Sequence, residues 1–110
     1  MKTPVEVRVY GAEELCASCV NLPSAQETAS WLEAALCRKY GRQVCIRYID
    51  IHQPEGEEEA AFSRRVIDEE MWYPVVEIDG DIVGEGNPRL KTIQNKLETM
   101  GLKPVTTVNR

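Results

Sequence analysis

The sequence predicts a single α/β domain in which helices cover the faces of a four-stranded mixed sheet, in the order β-α-β-α-β-β-α. Three observations predict it. Val5, Val7 and Val9 alternate with Glu6, Arg8 and Tyr10, the period of a strand with one buried face. Val44 to Ile51 is β-branched and aromatic-rich with apolar residues on both faces, as in a strand covered from two sides. Two short β-rich runs, Trp72 to Ile78 and Asp81 to Gly84, are joined by Asp79-Gly80, the sequence of a tight hairpin turn. At 110 residues the chain suits one core, so residues 1–110 are read as one domain, with 103–110 a frayed, aperiodic tail.

The elements follow in order. Gly11 ends the first strand, and Glu13 to Cys19 form a connector. Pro23-Ser24 then opens a helix, in which Ser24 and Glu27 make a capping box that satisfies free backbone N–H groups. Thr28, Trp31, Leu32, Ala35 and Leu36 share one face, so the segment is amphipathic up to Tyr40-Gly41. Cys37 lies off that face and is expected to be partly exposed, whereas Cys45, inside the second strand, is expected to be packed.

His52 to Glu59 begins as a loop at Pro54 and passes into a helix whose first turn carries Glu57, Glu58 and Glu59, placed where the positive end of the helix dipole favours acids. Ala60, Phe62, Val66, Ile67 and Met71 are expected to be its buried side. After the hairpin, Asn87 is a helix cap with Pro88 at the first helical position. Leu90, Ile93, Leu97 and Met100 then face inward, and Gly101 terminates the helix.

Bulk charge narrows the function classes. Thirteen basic residues against 18 acidic give a net charge of −5 with no basic cluster, which argues against a nucleic-acid partner. The start of the chain alternates apolar and polar residues and shows no secretory signal, and no apolar run is long enough for a membrane span, so the expected compartment is the cytoplasm and no membrane partner is expected. In that reducing compartment a four-cysteine disulfide framework is disfavoured.

The chemistry-bearing stretch is Cys16-Ala17-Ser18-Cys19. Cysteines three positions apart sit about one helical turn apart, with Cα atoms roughly 5 to 6 Å from each other, within reach of a disulfide. The motif alone fits half a zinc knuckle, half an iron–sulfur site, a redox pair or chance. Cys37 and Cys45 supply no second knuckle. His52, the one histidine, follows the second strand on the cysteine side of the sheet, where it either stabilises a thiolate or is simply solvated; no second histidine exists to build a metal site with it.

Two separated signatures carry a resemblance. The C-x-x-C after the first strand, together with Tyr73-Pro74-Val75-Val76-Glu77-Ile78-Asp79-Gly80, resembles the glutaredoxin and thioredoxin superfamily. More narrowly, Tyr10-Gly11-Ala12, Cys16 through Ser24, Tyr73-Pro74 and Gly84-Glu85-Gly86-Asn87-Pro88-Arg89-Leu90 look like the YuzD-like family of bacterial thioredoxin-fold proteins, over nearly the whole chain. The resemblance implies a thioredoxin-like fold of the glutaredoxin type and a cis peptide bond before Pro74, packed against the cysteines. It also implies Cys16 as nucleophile and Cys19 as the resolving thiol of a thiol–disulfide oxidoreductase acting on a protein thiol or disulfide, with no cofactor. Tyr73 and Pro74 would then pair with an extended substrate segment, and Trp72 and Tyr73 would either contact the partner or cap the core edge.

Departures from the family patterns bear on the chemistry. Ala17-Ser18 between the cysteines differs from the thioredoxin and glutaredoxin pairs and leaves the direction of electron flow open. Glu85 stands in a turn where glutaredoxins fix glutathione, and an acid there repels a carboxylate. Pro23 and Ser24 imply either that residues 16–22 form a first turn kinked at Pro23 or that the cysteines sit in a loop before the helix. Two other readings use the same residues: a metal or iron–sulfur module completed by a second subunit or partner, and an interaction domain without turnover.

Overall fold

In the computed structural model, which describes residues 4–12, 25–86 and 88–104, the first strand lies inside the sheet and not at its edge. The elements are β1 (Val5–Gly11), α1 (Ala25–Tyr40), a 3-10 turn (Gly41–Gln43), β2 (Val44–Asp50), α2 (Glu57–Asp68), β3 (Val75–Ile78), β4 (Asp81–Glu85) and α3 (Leu90–Thr99). The sheet runs β2-β1-β3-β4. β1 and β2 are parallel, and β3 is antiparallel to both β1 and β4. This is a mixed α/β architecture, with Val9 opposite Val76 and Tyr10 opposite Val75 where the two central strands meet.

Alternation along the strands divides the core in two. On one face Val7, Val9, Val44, Val76 and Ile78 meet Leu32, Leu36 and Tyr40 of α1 and Ile93 and Leu97 of α3. On the other, Tyr10, Ile49, Ile51 and Val75 meet Val66 of α2, and the Tyr10 and Phe62 rings lie 4.4 Å apart. β3 is buried along its whole length because it lies between two strands and under both layers. The hairpin turns at Asp79 (φ 52°) and Gly80 (φ 87°), two positive values in succession as a type I′ turn requires.

Several residues depart from expectation, each for a positional reason. β2 is packed on both faces, Val44 under the α1 layer and Ile49 under the α2 layer, but it is the edge strand of the sheet, and Cys45 on it is exposed instead of packed; Cys37 is partly exposed. On α1 the inward stripe is Ala29, Leu32, Leu36 and Tyr40, which leaves Trp31 on the flank and 47% exposed. On α2 the inward stripe is Glu59, Ser63 and Val66, spaced 4 and 3 residues, so Ile67 falls outside it and is 48% exposed. Two of those three inward residues are polar, which hid the stripe from a hydrophobicity pattern. α3 begins at Leu90, two residues after the buried Pro88 and without a side-chain cap. The caps expected at Ser24 and Asn87, and the tail from residue 105 onward, lie outside the described residues. Lys103 is tied to the body by paired hydrogen bonds with Gln43, whose Nε2 donates to the Lys103 carbonyl at 2.7 Å. Among the described residues no helix is long and apolar enough to cross a membrane.

Charge fastens α2 to its face of the sheet. Arg47 on β2 reaches the Glu59 carboxylate at 2.6 Å and the Glu55 carboxylate at 2.9 Å, while Arg8 on β1 pairs with Glu6 and with Glu58 of α2. Glu59 is only 4% exposed, and it also accepts the Glu55 backbone N–H at 3.1 Å. Three acids that by pattern belong to a solvated first turn therefore include one buried, paired carboxylate.

Candidate functional site

β1 and β3 run in opposite directions, so the end of β1 and the start of β3 coincide in space. Tyr10 pairs with Val75, which sets Pro74 beside Gly11 at the sheet end from which the chain departs toward Cys16, four residues beyond Ala12. The peptide bond between Tyr73 and Pro74 is cis. Pro74 is buried, Tyr73 is partly exposed, and Trp72 is 61% exposed. Cys16 and Cys19 lie outside the described residues, so the structure brings together Trp72, Tyr73 and Pro74 of the expected site and does not bear on the cysteines' geometry.

The Trp72 to Pro74 segment is held by the end of β4. The Glu85 carboxylate accepts the Trp72 N–H at 3.0 Å, and Gly86 N–H donates to the Pro74 carbonyl at 3.0 Å. Gly86 has φ 85°, and a Cβ there would come within 3.3 Å of the Trp72 Cβ, so both its backbone conformation and its closeness to the tryptophan favour glycine. Glu85 thus has a positioning contact that its place in the sequence did not suggest.

Beside this segment, a groove of about 370 Å³ opens between the end of β2 and the C-terminus of α2. Ile51 and His52 from the end of β2, Ile67 and Glu70 from the end of α2, and Trp72 and Tyr73 before β3 line it. His52 is exposed, and its backbone N–H donates to the Asp50 carboxylate at 2.9 Å. Ile67 and Glu70 escaped the sequence reading. Ile67 fits an apolar stripe and was assigned inward, and Glu70 looks like one more surface acid. The available signal was the spacing of Glu59, Ser63 and Val66, which fixes the inward face and leaves Ile67 outside it.

Glu70 adopts φ 51°, a left-handed conformation that residues with a Cβ disfavour. It ends α2 in a Schellman arrangement, in which Glu70 N–H donates to the Ile67 carbonyl at 3.2 Å and Met71 N–H to the Val66 carbonyl at 3.0 Å. That turn swings the chain back toward β3 and delivers Trp72 to the groove.

Of the other two cysteines, Cys45 is poorly suited to act as a nucleophile. Partial burial, and next the Glu6 carboxylate, push the Cys45 thiol above its ordinary value, which keeps it protonated and weakly nucleophilic at neutral pH. Among the described residues no group of three or more histidine, cysteine or acidic side chains is arranged to hold a metal ion.

The profile of the family described as "Protein of unknown function (DUF1462)" matches residues 8–98, from β1 to α3. The chain belongs to the DUF1462 family. It is 48% identical over 103 residues to the Bacillus subtilis (strain 168) protein named "Putative disulfide oxidoreductase YuzD", covering 92% of this chain and 95% of that one. This places it among the YuzD-like members of DUF1462. A Staphylococcus aureus protein of unknown function, SA0789, has a crystal structure that superposes with a TM-score of 0.74 at 32% identity, covering 87% of this chain and 90% of that one. The DUF1462 match takes in the C-x-x-C at Cys16-Cys19 and both Tyr73 and Pro74.

Proposed function

We propose that this chain is a thiol–disulfide oxidoreductase in which Cys16 and Cys19 act on a protein disulfide or thiol. The observation that carries the reading is a C-x-x-C in a chain 48% identical, nearly end to end, to a protein named "Putative disulfide oxidoreductase YuzD". Supporting it, Pro74 sits beside the end of β1, at the sheet end from which the chain leads into the cysteine motif.

In the reducing direction, the Cys16 thiolate attacks one sulfur of a substrate disulfide. This forms a mixed disulfide and releases the other substrate sulfur as a thiolate. Cys19, deprotonated, then attacks the Cys16 sulfur and frees the second substrate thiolate. The substrate gains two electrons, and the protein is left with a Cys16–Cys19 disulfide. The oxidising direction is the same sequence reversed. Tyr73 and Pro74 act here as the backbone against which an extended substrate strand lies, with Trp72 as an apolar contact.

The test compares alkylation of the two thiols at neutral pH and turnover of a small disulfide such as 5,5′-dithiobis(2-nitrobenzoate). Cys16 should react much faster than Cys19. Cys16→Ser should abolish turnover, and Cys19→Ser should accumulate the mixed disulfide. Equal alkylation rates with turnover intact in Cys16→Ser would refute the assignment.

A further inference from the structure

Two of the three most exposed large apolar side chains among the described residues, Ile67 at 48% and Trp72 at 61%, face the same groove. The third, Trp31, belongs to α1, which packs on the opposite face of the sheet. A pair of exposed apolar walls beside a concave surface is the form of a recognition site for an apolar anchor. Such a surface needs an occupant, and its charge identifies one.

Of the residues that line the groove, Glu70 is the one acid, and none is a lysine or arginine. Glu85 is hydrogen-bonded to the neighbouring Trp72 N–H, and Asp50 to that of His52. The C-terminal end of α2, the negative end of its dipole, lies at the groove and carries Asp68. Arg65, the base in that last turn, is spent on Glu69 at 3.2 Å. The groove therefore combines an apolar lining with a negative field that no lining lysine or arginine offsets. A cation entering it is attracted, and a carboxylate is repelled.

We infer that this groove binds an extended segment of the substrate protein in which an apolar side chain is flanked by lysine or arginine. The apolar residue seats between Ile67 and Trp72, and the basic residue lies over Glu70. The identity of the occupant as a redox substrate rests on the oxidoreductase reading, whereas the binding chemistry does not. Cationic apolar segments are then preferred, and acidic ones, including small thiols that present a carboxylate here, are disfavoured.

Binding is tested apart from thiol chemistry by using the full chain carrying Cys16→Ser and Cys19→Ser. The probes are two fluorescein-labelled linear peptides, identical except that a central Leu-Phe pair is flanked by lysines in one and by aspartates in the other. Fluorescence anisotropy reports affinity, and the Trp72 indole N–H resonance reports location. The lysine peptide should bind at least tenfold tighter than its counterpart and shift the Trp72 signal. Trp72→Ala should weaken binding about tenfold, as the loss of an apolar anchor does, and Glu70→Lys should erase or invert the charge preference. Trp72 and Glu70 are both exposed, so neither substitution removes a core contact. The inference is overturned by equal or absent binding of the two peptides, by binding that Trp72→Ala leaves unchanged, or by concentration-dependent self-association that Trp72→Ala disperses. The last outcome would make the groove a contact between two copies of the chain. Because the cysteines are absent from this experiment, its failure leaves the Cys16 alkylation test standing, and the converse also holds.

Discussion

Glu70 occupies a conformation that glycine would adopt more readily, and replacing it separates backbone cost from side-chain role. At φ 51° the cost to a residue with a Cβ is about 1–2 kcal/mol. Glycine removes that cost but adds about 0.4–1 kcal/mol of unfolded-state entropy. The difference leaves Glu70→Gly more stable by about 0.5–1 kcal/mol, a rise in melting temperature of roughly 2–5 °C for a chain of this size. Glu70→Ala supplies the control: it also removes the carboxylate from the negative end of α2 but retains the Cβ, so it isolates the electrostatic part, about 0.3 kcal/mol or more. Thermal and urea unfolding followed by circular dichroism measure both. A glycine variant no more stable than the alanine variant would show that the left-handed turn costs nothing and would refute the reasoning. Glu70 is also the charged residue of the groove, so the stabilised variant should lose selectivity for basic segments. A strained residue kept at a recognition surface is the pattern expected where binding and stability compete.

Three other perturbations probe the scaffold around the groove. Arg47→Leu strands the buried Glu59 carboxylate, which then keeps only the Glu55 N–H, and should cost about 2–3 kcal/mol in urea denaturation, less than the roughly 3–5 kcal/mol of a fully buried pair because Arg47 is itself partly solvated; Arg47→Leu with Glu59→Leu should recover most of the loss. A Cβ at Gly84 would lie 2.6 Å from the Pro88 Cβ and 3.1 Å from its Cα, so Gly84→Ala must displace the start of α3 and should lower stability by about 1–3 kcal/mol, read as a depressed urea midpoint. Burial, and next the Glu98 carboxylate that accepts its hydroxyl at 2.6 Å, raise the Tyr40 phenol above its ordinary value. The folded state therefore binds that proton more tightly than the unfolded state, and the stability it contributes is full below about pH 10 and lost as pH rises beyond it. Comparing urea midpoints at pH 8 and pH 11 should show a smaller decline for Tyr40→Phe than for the parent.

The architecture was legible because it is written in periods. The alternating valines of β1, the helical repeat of Leu32 and Leu36 and the Asp79-Gly80 turn each point to one local structure, and those structures assemble in one plausible order. Edge and centre were not legible. β2 is packed on both faces as its pattern suggests, but only the order β2-β1-β3-β4 reveals the edge position on which Cys45 is exposed. The inward face of α2 was also obscured, because Glu59 and Ser63 occupy it and an apolar pattern passes over them. Of the candidate site, Tyr73-Pro74 stood out as a dipeptide before a strand. The groove beside it did not, since its walls come from the ends of three elements separated in the chain, and its charge comes from a residue whose backbone geometry no local pattern encodes.

The two faces of the sheet are secured by different forces. Beneath α1 and α3 the buried contacts are mainly hydrocarbon, with the Lys39–Glu98 and Lys96–Asp81 ion pairs at the rim, whereas α2 is moored by two arginines reaching from the strands to acids on and just before the helix. Added electrolyte weakens the exposed members of that mooring and strengthens the oily layer opposite. Ionic conditions thus bear most on the α2 side of the domain, the side that carries the groove beside Trp72.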